Sequence, residues 1–244
     1  MPSLIAMLPV RNEADRYLAR SLQQLERLVD AIVVLDDASS DDTARVCAEC
    51  SKVELHRLPA PRFASDEAAL RRELWRLTAR KAPDWVLALD ADEIFEERAT
   101  AELPRLLAQQ DYDVVAFRIF DFWKSETHVR VDGAWNPWPR FSPLLVRYHP
   151  ELADDWFDRP IHCGRFPLAY QGLSTFYSHL RVQHYGWARA QDHLRKYLFY
   201  RERDLLLDGA VSPHTESVLS PTIALEPWVP QRSAPWLSEE WEES

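Results

Sequence analysis

Residues 85–93 read Trp-Val-Leu-Ala-Leu-Asp-Ala-Asp-Glu. An apolar run from Trp85 to Leu89 ends in two carboxylates, Asp90 and Asp92, which are two positions apart. A buried strand that ends in this way delivers oxygen ligands to the carboxyl edge of a sheet, where open α/β sheets bind their ligands. Mg²⁺ and similar ions are commonly held there by one or two carboxylates together with substrate phosphates. The stretch therefore predicts a metal-bound, phosphate-bearing substrate, and the alternative is a solvated turn at a strand end.

The sequence around this stretch alternates between strand-like and helix-like segments through the first half of the chain. Short apolar runs predict strands, and apolar residues that recur every three or four positions predict helices. The predicted strands are residues 4–10, 31–35, 53–58, 85–90 and 113–122. The predicted helices are residues 14–29, 40–51, 66–80 and 99–109. Apolar strands separated by helices are typical of an α/β fold with a mostly parallel sheet that is covered on both faces.

The second half of the chain has a different pattern. A turn at residues 131–134 and a strand at residues 144–148 are predicted, and proline and tryptophan are frequent between them and beyond. Residues 189–207 have the apolar spacing of a helix. Residues 212–244 are predicted to be extended, either packed over the body or in part disordered. We divide the chain into three parts, residues 1–122, residues 123–208 and a Pro/Trp-rich acidic tail over residues 209–244.

Composition limits the classes of function. The 244 residues fit one domain, or one domain with an elaborated second half. A hydrophobic content of 46% allows a sizeable core, and a formal net charge of −10 disfavours general binding to nucleic acid or anionic membranes. The net charge does not exclude a local basic groove that binds nucleic acid. No apolar run approaches the roughly 20 residues of a membrane span, and the N-terminus lacks a signal-peptide pattern, so we expect a soluble cytoplasmic protein.

The chain has three cysteines, and two of them form a C-x-x-C motif at Cys47 and Cys50. Such a motif is found in zinc sites and in redox centres, but no second pair of ligands has metal-like spacing. The motif also lies inside a predicted helix rather than at its start. We therefore interpret both cysteines as helix-packing residues, and the odd number of cysteines argues against a disulfide framework.

Four polar motifs recur where predicted strands end or where an apolar segment ends. They are Leu8-Pro9-Val10-Arg11-Asn12-Glu13, Leu35-Asp36-Asp37-Ala38-Ser39-Ser40-Asp41-Asp42-Thr43, Asp90-Ala91-Asp92-Glu93 and Gln183-His184-Tyr185-Gly186-Trp187. In this order and spacing they resemble glycosyltransferase family 2, whose members carry Pro-x-x-Asn-Glu, then Asp-x-Ser-x-Asp-x-Thr, then a D-x-D motif. Each motif alone is weak, but the combination is specific. The resemblance covers about residues 3–205 and implies the GT-A fold, a Rossmann-like, mostly parallel sheet with an acceptor-side extension.

The resemblance also implies a function. A metal-dependent enzyme would move a sugar from a nucleotide-diphospho-sugar to an acceptor hydroxyl, by direct displacement with inversion, and a UDP-sugar is the first donor expected. Residues 1–122 would bind the nucleotide-sugar and residues 123–208 would form the acceptor side. The residues implied to bind the nucleotide-sugar are Pro9, Arg11, Glu13, Asp37, Arg62, Asp66, Arg71, Asp90, Ala91 and Asp92. Asp41 and Asp42 are interpreted as helix-capping residues.

A divalent ion, Mn²⁺ or Mg²⁺, is implied at the D-x-D motif, with Asp92 as its direct ligand. His184 would complete the metal or diphosphate site, because its motif resembles a histidine element of several family members. Neutral imidazole binds Mn²⁺, whereas Mg²⁺ prefers oxygen ligands. The alternative for His184 is a structural role. Lys196 and Arg201 are candidates for neutralising the diphosphate, and the alternative for both is a solvated helix face.

The catalytic base is the point where the chain departs from the family pattern. Related enzymes often carry an acidic residue just after a histidine, but residues 161–164 read Ile-His-Cys-Gly. Asp155 is our first candidate for the base, and Asp154, Asp158 and His162 are alternatives. Should the base be missing altogether, a retaining reaction or a weak enzyme is the expectation.

Two other functions stay open. A nucleotidyltransferase would need a glycine-rich, basic loop after the first strand, and residues 8–15 contain no glycine. A non-catalytic nucleotide-sugar-binding protein is disfavoured by the intact carboxylate pair, but the missing acid after His162 leaves it open. The sequence does not identify the acceptor. The tail residues Trp228, Trp236 and Trp241 are interpreted as a lid or as a self-association surface, so a homodimer is one expectation.

Overall fold

The computed structural model describes residues 2–157 and 163–231. Its first half alternates strands and helices in the predicted order. The elements are β1 (Leu4–Val10), α1 (Leu18–Leu28), β2 (Ala31–Asp36), α2 (Thr43–Ala48), β3 (Val53–Arg57), α3 (Glu67–Ala79), β4 (Trp85–Ala88), β5 (Glu93–Phe95), α4 (Ala99–Ala108) and β6 (Val114–Asp121). The second half contains β7 (His128–Arg130), β8 (Ser142–Arg147), β9 (Thr175–His184), α5 (Ala190–Asp208), α6 (Pro213–Glu216) and β10 (Leu225–Pro227).

Eight of these strands form one sheet in the order β3-β2-β1-β4-β8-β6-β9-β5. Strands β3, β2, β1 and β4 pair in parallel, and β6 pairs in parallel with β9. Strands β8 and β5 run against their neighbours. Since β1, β2, β4, β6 and β9 point the same way, their carboxyl ends meet at one edge. The predicted α/β class and mostly parallel sheet are confirmed.

The central strands are buried on both faces, which explains their near-continuous apolar sequences. Alternate residues of β1 and β4 point to opposite sides, so Leu8 and Leu87 join one apolar cluster while Met7 and Val86 join the other. The first cluster is packed by α1, α2 and α4, and the second by α3. Helix α1, for example, buries the apolar stripe of Leu18, Leu22 and Leu25. Among the described residues, no helix has both the length and the apolar character needed to cross a membrane.

The structure differs from the predicted elements where polar loops meet the sheet edge. Helix α1 begins at Leu18 rather than near residue 14, because the preceding residues form a loop in which the Ala14 N–H donates to Asp41. Asp41 also accepts from the backbone N–H of Thr43 at 3.0 Å, whereas the N-cap residue of α2 is Asp42, whose side chain makes no capping hydrogen bond. Strand β5 is too short, at three residues, to give a periodic signal. Strand β9 spans ten residues, and the sequence analysis recognised it only as an apolar segment that ends at the motif containing His184.

The described part of the tail, residues 209–231, crosses the second half of the sheet, and we call it the C-terminal strap. It contains α6 and then β10, which pairs antiparallel with β7. Trp228 packs against Phe120 and Phe122, with ring centroids 5.3 and 5.5 Å apart, and under the guanidinium of Arg181. Packing over the body is thus observed up to residue 231. Trp236 and Trp241 lie outside the described residues.

The three cysteines are free, buried thiols, as the helix-packing interpretation requires. Burial, reinforced by the negative charge of Asp36, raises the pKa of Cys47 to about 12. Burial likewise raises the pKa of Cys163 to about 12 and, without a resolved value, the pKa of Cys50. A raised thiol pKa lowers the fraction of reactive thiolate at neutral pH.

We therefore expect the native protein to resist alkylation by iodoacetamide at pH 8, because buried thiols with raised pKa values hold very little thiolate. The measurement is mass-spectrometric counting of modified cysteines in native protein and in protein unfolded by guanidinium. All three cysteines should react only after unfolding. Rapid alkylation of Cys47 or Cys50 in the native protein would contradict the packing interpretation.

Candidate functional site

A cavity of about 720 Å³ opens at the carboxyl edge of the parallel strands. One wall consists of the loops that follow β1, β2 and β4. The opposite wall consists of one face of α5 and the first part of the C-terminal strap. Ligands of open α/β sheets bind at this edge, so the cavity is the candidate site. The first-half motifs and the second-half helix therefore face each other across it.

Asp37 lies at one end of the cavity and is almost fully buried. Its carboxylate accepts the backbone N–H groups of Arg62 at 2.5 Å and Phe63 at 3.1 Å. The guanidinium of Arg11 is 3.8 Å away. Asp37 therefore fixes the loop before α3, and that loop brings the Phe63 ring to the cavity wall.

Asp90 is held by two arginines. Its Oδ1 accepts from Arg71 at 3.0 Å, and its Oδ2 accepts from Arg165 at 3.2 Å. Arg165 also donates to both carboxylate oxygens of the buried Glu93, at 2.6 and 2.7 Å, and to the carbonyl of Ala88. Burial opposes ionisation of Asp90, but Arg165 and Arg71 outweigh it and lower the pKa of Asp90. The first carboxylate of the D-x-D motif is thus enclosed in an ion-pair network.

Asp92 has different partners. Its Oδ1 is 3.4 Å from His184 Nε2, and its Oδ2 is 3.9 Å from Lys196 Nζ. Burial opposes the charge on Asp92, but His184 and then Lys196 outweigh it and hold the pKa of Asp92 well below its usual range. Burial alone would lower the pKa of His184, but the charge of Asp92 and the hydrogen bond that His184 donates to Asp121 raise it to about 10.

Strand register places His184 at this point. His184, the last residue of β9, pairs with Glu93 of β5 on one side and with Asp121 of β6 on the other. Its Nδ1 is 2.5 Å from Asp121 Oδ1, so Nε2 is directed away from Asp121 and toward Asp92. A carboxylate behind a histidine orients the ring and raises its basicity as a ligand, an arrangement common at metal centres.

Gly186 allows this cluster to pack directly against the backbone of residue 186. A Cβ at this position would lie 2.5 Å from Lys196 Nζ, 2.9 Å from Asp92 Oδ2, and still nearer to His184 Nε2. Any larger residue would therefore displace the three side chains. The glycine is required by this close approach rather than by its backbone angles, because its φ is not in the left-handed region.

The donor set fits a divalent ion that is shared with a ligand. Asp92 and His184 supply one carboxylate and one oriented imidazole, and the imidazole releases its Nε2 proton when it binds a metal ion. Among the described residues, no group of three or more ligating side chains could hold a metal ion alone. Ions such as Mg²⁺ typically complete their coordination with substrate phosphates and water when the protein supplies only one or two ligands. The site suits that kind of binding, and imidazole favours Mn²⁺ over Mg²⁺.

Glu13 connects the first loop to α5. It lines the cavity, and its Oε2 is 3.0 Å from Arg16 Nε, while Arg16 Nη2 is 3.2 Å from Asp192 of α5. Burial, and next the charge of Asp92, raise the pKa of Glu13 to about 7. The loop after β1 is therefore tied to the helix that carries Lys196.

The structure brings most of the sequence-predicted residues to one cavity. They are Pro9, Arg11, Glu13, Asp37, Arg71, Asp90, Ala91, Asp92, His184 and Lys196. Two predicted binding residues have other positions. Arg62 pairs with Glu73 at 2.5 Å, and Asp66 caps α3 by accepting from the Ala69 N–H, so neither side chain lines the cavity. Arg201 is an exposed residue of α5 that does not line the cavity either.

The structure does not bring the first base candidate into the cavity. Asp155 is exposed and is not a lining residue, and Asp154 pairs with Arg76 at 2.6 Å. Asp158 and His162 lie outside the described residues.

Sequence reasoning missed several residues of the site, among them Asp121 and Arg165. Asp121 ends β6 at the same sheet edge as the other strand-end carboxylates, so the rule that identified Asp90 could also have identified it. Arg165 has no motif around it and lies 72 residues from Glu93 in the chain, so only the folded structure shows their pairing.

The sequence profile described as Glycosyl transferase family 2 matches residues 6–159. The chain belongs to glycosyl transferase family 2. The predicted family and enzyme class are confirmed at this level. The match covers the loops after β1, β2 and β4, which form the first wall of the cavity.

Of two relatives of this family-2 chain, one is uncharacterised and the other is a transferase. An uncharacterised protein of Mycobacterium tuberculosis is 36% identical over 206 residues, which is 75% of this chain and 49% of the relative. The chain thus spans about half the length of this relative. The undecaprenyl-phosphate 4-deoxy-4-formamido-L-arabinose transferase of Klebsiella pneumoniae is 33% identical over 124 residues, 45% of this chain and 34% of the relative.

Solved structures confirm the GT-A fold. The crystal structure of residues 1–349 of TarS from S. aureus in complex with UDP has a TM-score of 0.53 at 15% identity. The similarity covers 89% of this chain and 69% of the TarS chain. At this identity the likeness concerns the fold.

Arg165→Met should destabilise the protein strongly. The substitution leaves the buried Glu93 and the partly exposed Asp90 with fewer partners, and breaking a buried pair from one side typically costs about 3–5 kcal/mol. The measurement is the free energy of unfolding from urea denaturation. Adding Glu93→Gln to Arg165→Met should recover part of the loss, because one uncompensated charge is removed.

The matched control for this prediction is Arg76→Met. The pair of Arg76 with Asp154 has the same 2.6 Å separation as Arg165 with Glu93, but its side chains are 59% and 40% exposed. Exposed pairs contribute little, because water and salt screen them. Equal losses in the two single variants would contradict the buried-network interpretation.

Gly186→Ala should lower the free energy of unfolding by about 1–3 kcal/mol, the usual cost of forcing an extra methyl group into a filled space. Gly172→Ala is the control, because a Cβ there meets nothing within 4 Å. The control should change stability by no more than about 0.5 kcal/mol. Thermal or urea unfolding measures both, and a Gly186→Ala protein as stable as the control would contradict the close approach.

Proposed function

We propose that this chain transfers a sugar from a nucleotide-diphospho-sugar to an acceptor hydroxyl, with a divalent metal ion held by Asp92 and His184. The observation that carries the proposal is the arrangement of Asp92, His184 and Asp121, in which Asp121 directs His184 toward Asp92 and Gly186 lets the cluster approach its backbone closely. It lies in the same cavity as the family-2 motifs. A two-residue donor set of this kind suits an ion that also binds a diphosphate.

The nucleoside is proposed to occupy the end of the cavity formed by Arg11, Asp37 and Phe63. Asp37 is held in place by two backbone N–H groups, and the aromatic ring of Phe63 offers a face on which a base can stack. TarS, which has the same fold, was crystallised with UDP. We therefore propose a uridine diphosphate sugar as the donor.

The two carboxylates of the D-x-D motif are proposed to have separate tasks. Asp92 faces His184 and Lys196 and is placed to receive the metal ion. Asp90 is engaged by Arg71 and Arg165, so its task is to fix the turn rather than to coordinate the ion by itself. This division supports a site in which arginines hold Asp90 in place and Asp92 binds the metal ion.

In the proposed reaction the acceptor oxygen forms a bond to the anomeric carbon while the bond from that carbon to the diphosphate oxygen breaks. The electron pair of the broken bond leaves with the nucleoside diphosphate. The bound metal ion would supply Lewis-acid stabilisation of that charge. The ammonium of Lys196, which is anchored over the Trp187 ring at 4.9 Å, adds a positive charge next to Asp92.

The acceptor proton must pass to a base. Asp155, Asp158 and His162 stay the sequence-predicted candidates. Asp204 joins them, because α5 places it on the cavity wall that faces the nucleotide loops. Its Oδ2 accepts the backbone N–H of Ser212 at 2.9 Å, which fixes the carboxylate relative to the strap.

UDP with Mn²⁺ should raise the melting temperature of the protein, because a ligand that binds only the folded state stabilises it by about 2.7 kcal/mol at one hundred times its dissociation constant. Asp92→Asn should lose the Mn²⁺-dependent part of the shift and keep the part seen with UDP alone. Asp111→Asn, a change of an exposed acid outside the cavity, is the control and should behave like wild type.

An Asp92→Asn protein with an unchanged Mn²⁺-dependent shift would contradict the proposed ion site. Absence of a shift with any nucleoside diphosphate would contradict the proposed function itself. Release of UDP from UDP-sugars by wild type, compared with Asp92→Asn, then distinguishes a transferase from a non-catalytic binding protein.

A further inference from the structure

Helix α5 has an apolar outer stripe that the described part of the chain leaves exposed. Leu194, Leu198 and Leu205 are 57%, 51% and 41% exposed. The inner face of the same helix faces the protein, with Asp192 and His193 buried and Lys196 on the cavity wall. Leu206 and Leu207, which lie beside the stripe, are exposed as well, and exposed apolar patches often mark an interaction surface.

The stripe has the spacing of a helix-pairing seam. Positions 191, 194, 198, 201, 205 and 208 follow one another at alternating intervals of three and four residues, the period with which two helices pack side by side. Three of these positions are leucines. The other three are Gln191, Arg201 and Asp208. Helix α5 has 19 residues, about 28 Å at 1.5 Å per residue, so the seam runs along nearly its whole length.

We propose that this stripe is the interface of a homodimer in which α5 packs antiparallel against α5 of a second copy. In a two-fold dimer the same patch serves both copies, so that if residue i meets residue j, residue j also meets residue i. Around a two-fold axis midway along α5, Leu194 meets Leu205 of the second copy. Leu198 meets the aliphatic stem of Arg201, and Gln191 meets Asp208. The apolar residues thus bury one another.

Charge complementarity selects this partner and this direction. Arg195 and Glu202 flank the seam on the same side, and the antiparallel register brings each Arg195 to the Glu202 of the other copy. Parallel pairing would instead place Arg201 against Arg201 and Asp208 against Asp208, which repel. A net charge of −10 disfavours an anionic lipid surface as the occupant.

Trp228, the tail tryptophan among the described residues, does not provide the self-association surface that the sequence analysis considered. Trp228 is packed between Phe120, Phe122 and Arg181 of its own chain. The inferred dimer also has a consequence for the cavity, because a second copy on the outer face of α5 would hold the inner face, with Lys196, Tyr200 and Asp204, in a fixed position.

The first test is the molar mass of the full chain in solution, by size-exclusion chromatography with light scattering and by sedimentation across the micromolar range. Wild type should be a dimer, and Leu205→Glu should be a monomer at the same concentrations. Leu219→Glu is the matched control, because Leu219 is an equally exposed leucine, at 48%, outside α5. The control should stay dimeric, and circular dichroism checks that all three proteins are folded.

The second test is a charge swap across the interface, with circular dichroism checking that α5 stays folded when Arg195→Glu removes the ion pair of Arg195 with Asp192. Arg195→Glu and Glu202→Arg should each weaken the dimer at least tenfold, because each creates two like-charge contacts across the interface. The double variant restores both opposite-charge contacts and should recover dimerisation to within a few-fold of wild type. A monomeric wild type, a dimeric Leu205→Glu protein, or a double variant as weak as the single variants would overturn the proposal.

Discussion

The ion pair between Arg165 and Glu93 is the interaction on which the rest of the site depends. The turn after β4 places the partly exposed Asp90 and the buried Asp92 and Glu93 within four residues, and such a concentration of negative charge is unstable without cations. Arg165 donates to both oxygens of Glu93 and to Asp90. With Glu93 neutralised, the chain can turn directly into β5 and pair with β9, and this pairing carries His184 to Asp92.

It follows that the two halves of the sequence are energetically one unit. The acidic turn comes from the family-2 half, but three of its four cationic partners, Arg165, His184 and Lys196, come from the second half. Arg16 adds a further link between Glu13 and α5. A cavity whose two walls neutralise each other holds its charges in place before a ligand arrives, and such preorganisation favours electrostatic stabilisation of a leaving diphosphate.

The sequence predicts the parallel half of the sheet because its strands are apolar on both faces and end in motifs of definite order. Leu4–Val10 was predicted with the bounds observed, and Asp90 and Asp92 were placed at the correct edge. The pairing of β5 with β9 could not be predicted, because three residues give no periodicity and their partner lies some ninety positions away. The role of Arg165 could not be predicted either, because its partner Glu93 lies 72 residues away in the chain. Asp121 could have been found by the strand-end rule that identified Asp90.

The central claim is that Asp92 and His184 bind the metal ion while Asp90 stays with the arginines. A crystal structure with UDP and Mn²⁺, in which anomalous scattering locates the manganese, tests it most directly. We expect the manganese peak between Asp92 and His184, next to the diphosphate, with Asp90 still paired to Arg71 and Arg165. A manganese peak on Asp90 with Arg165 displaced, or bound UDP with manganese away from His184, would contradict the account.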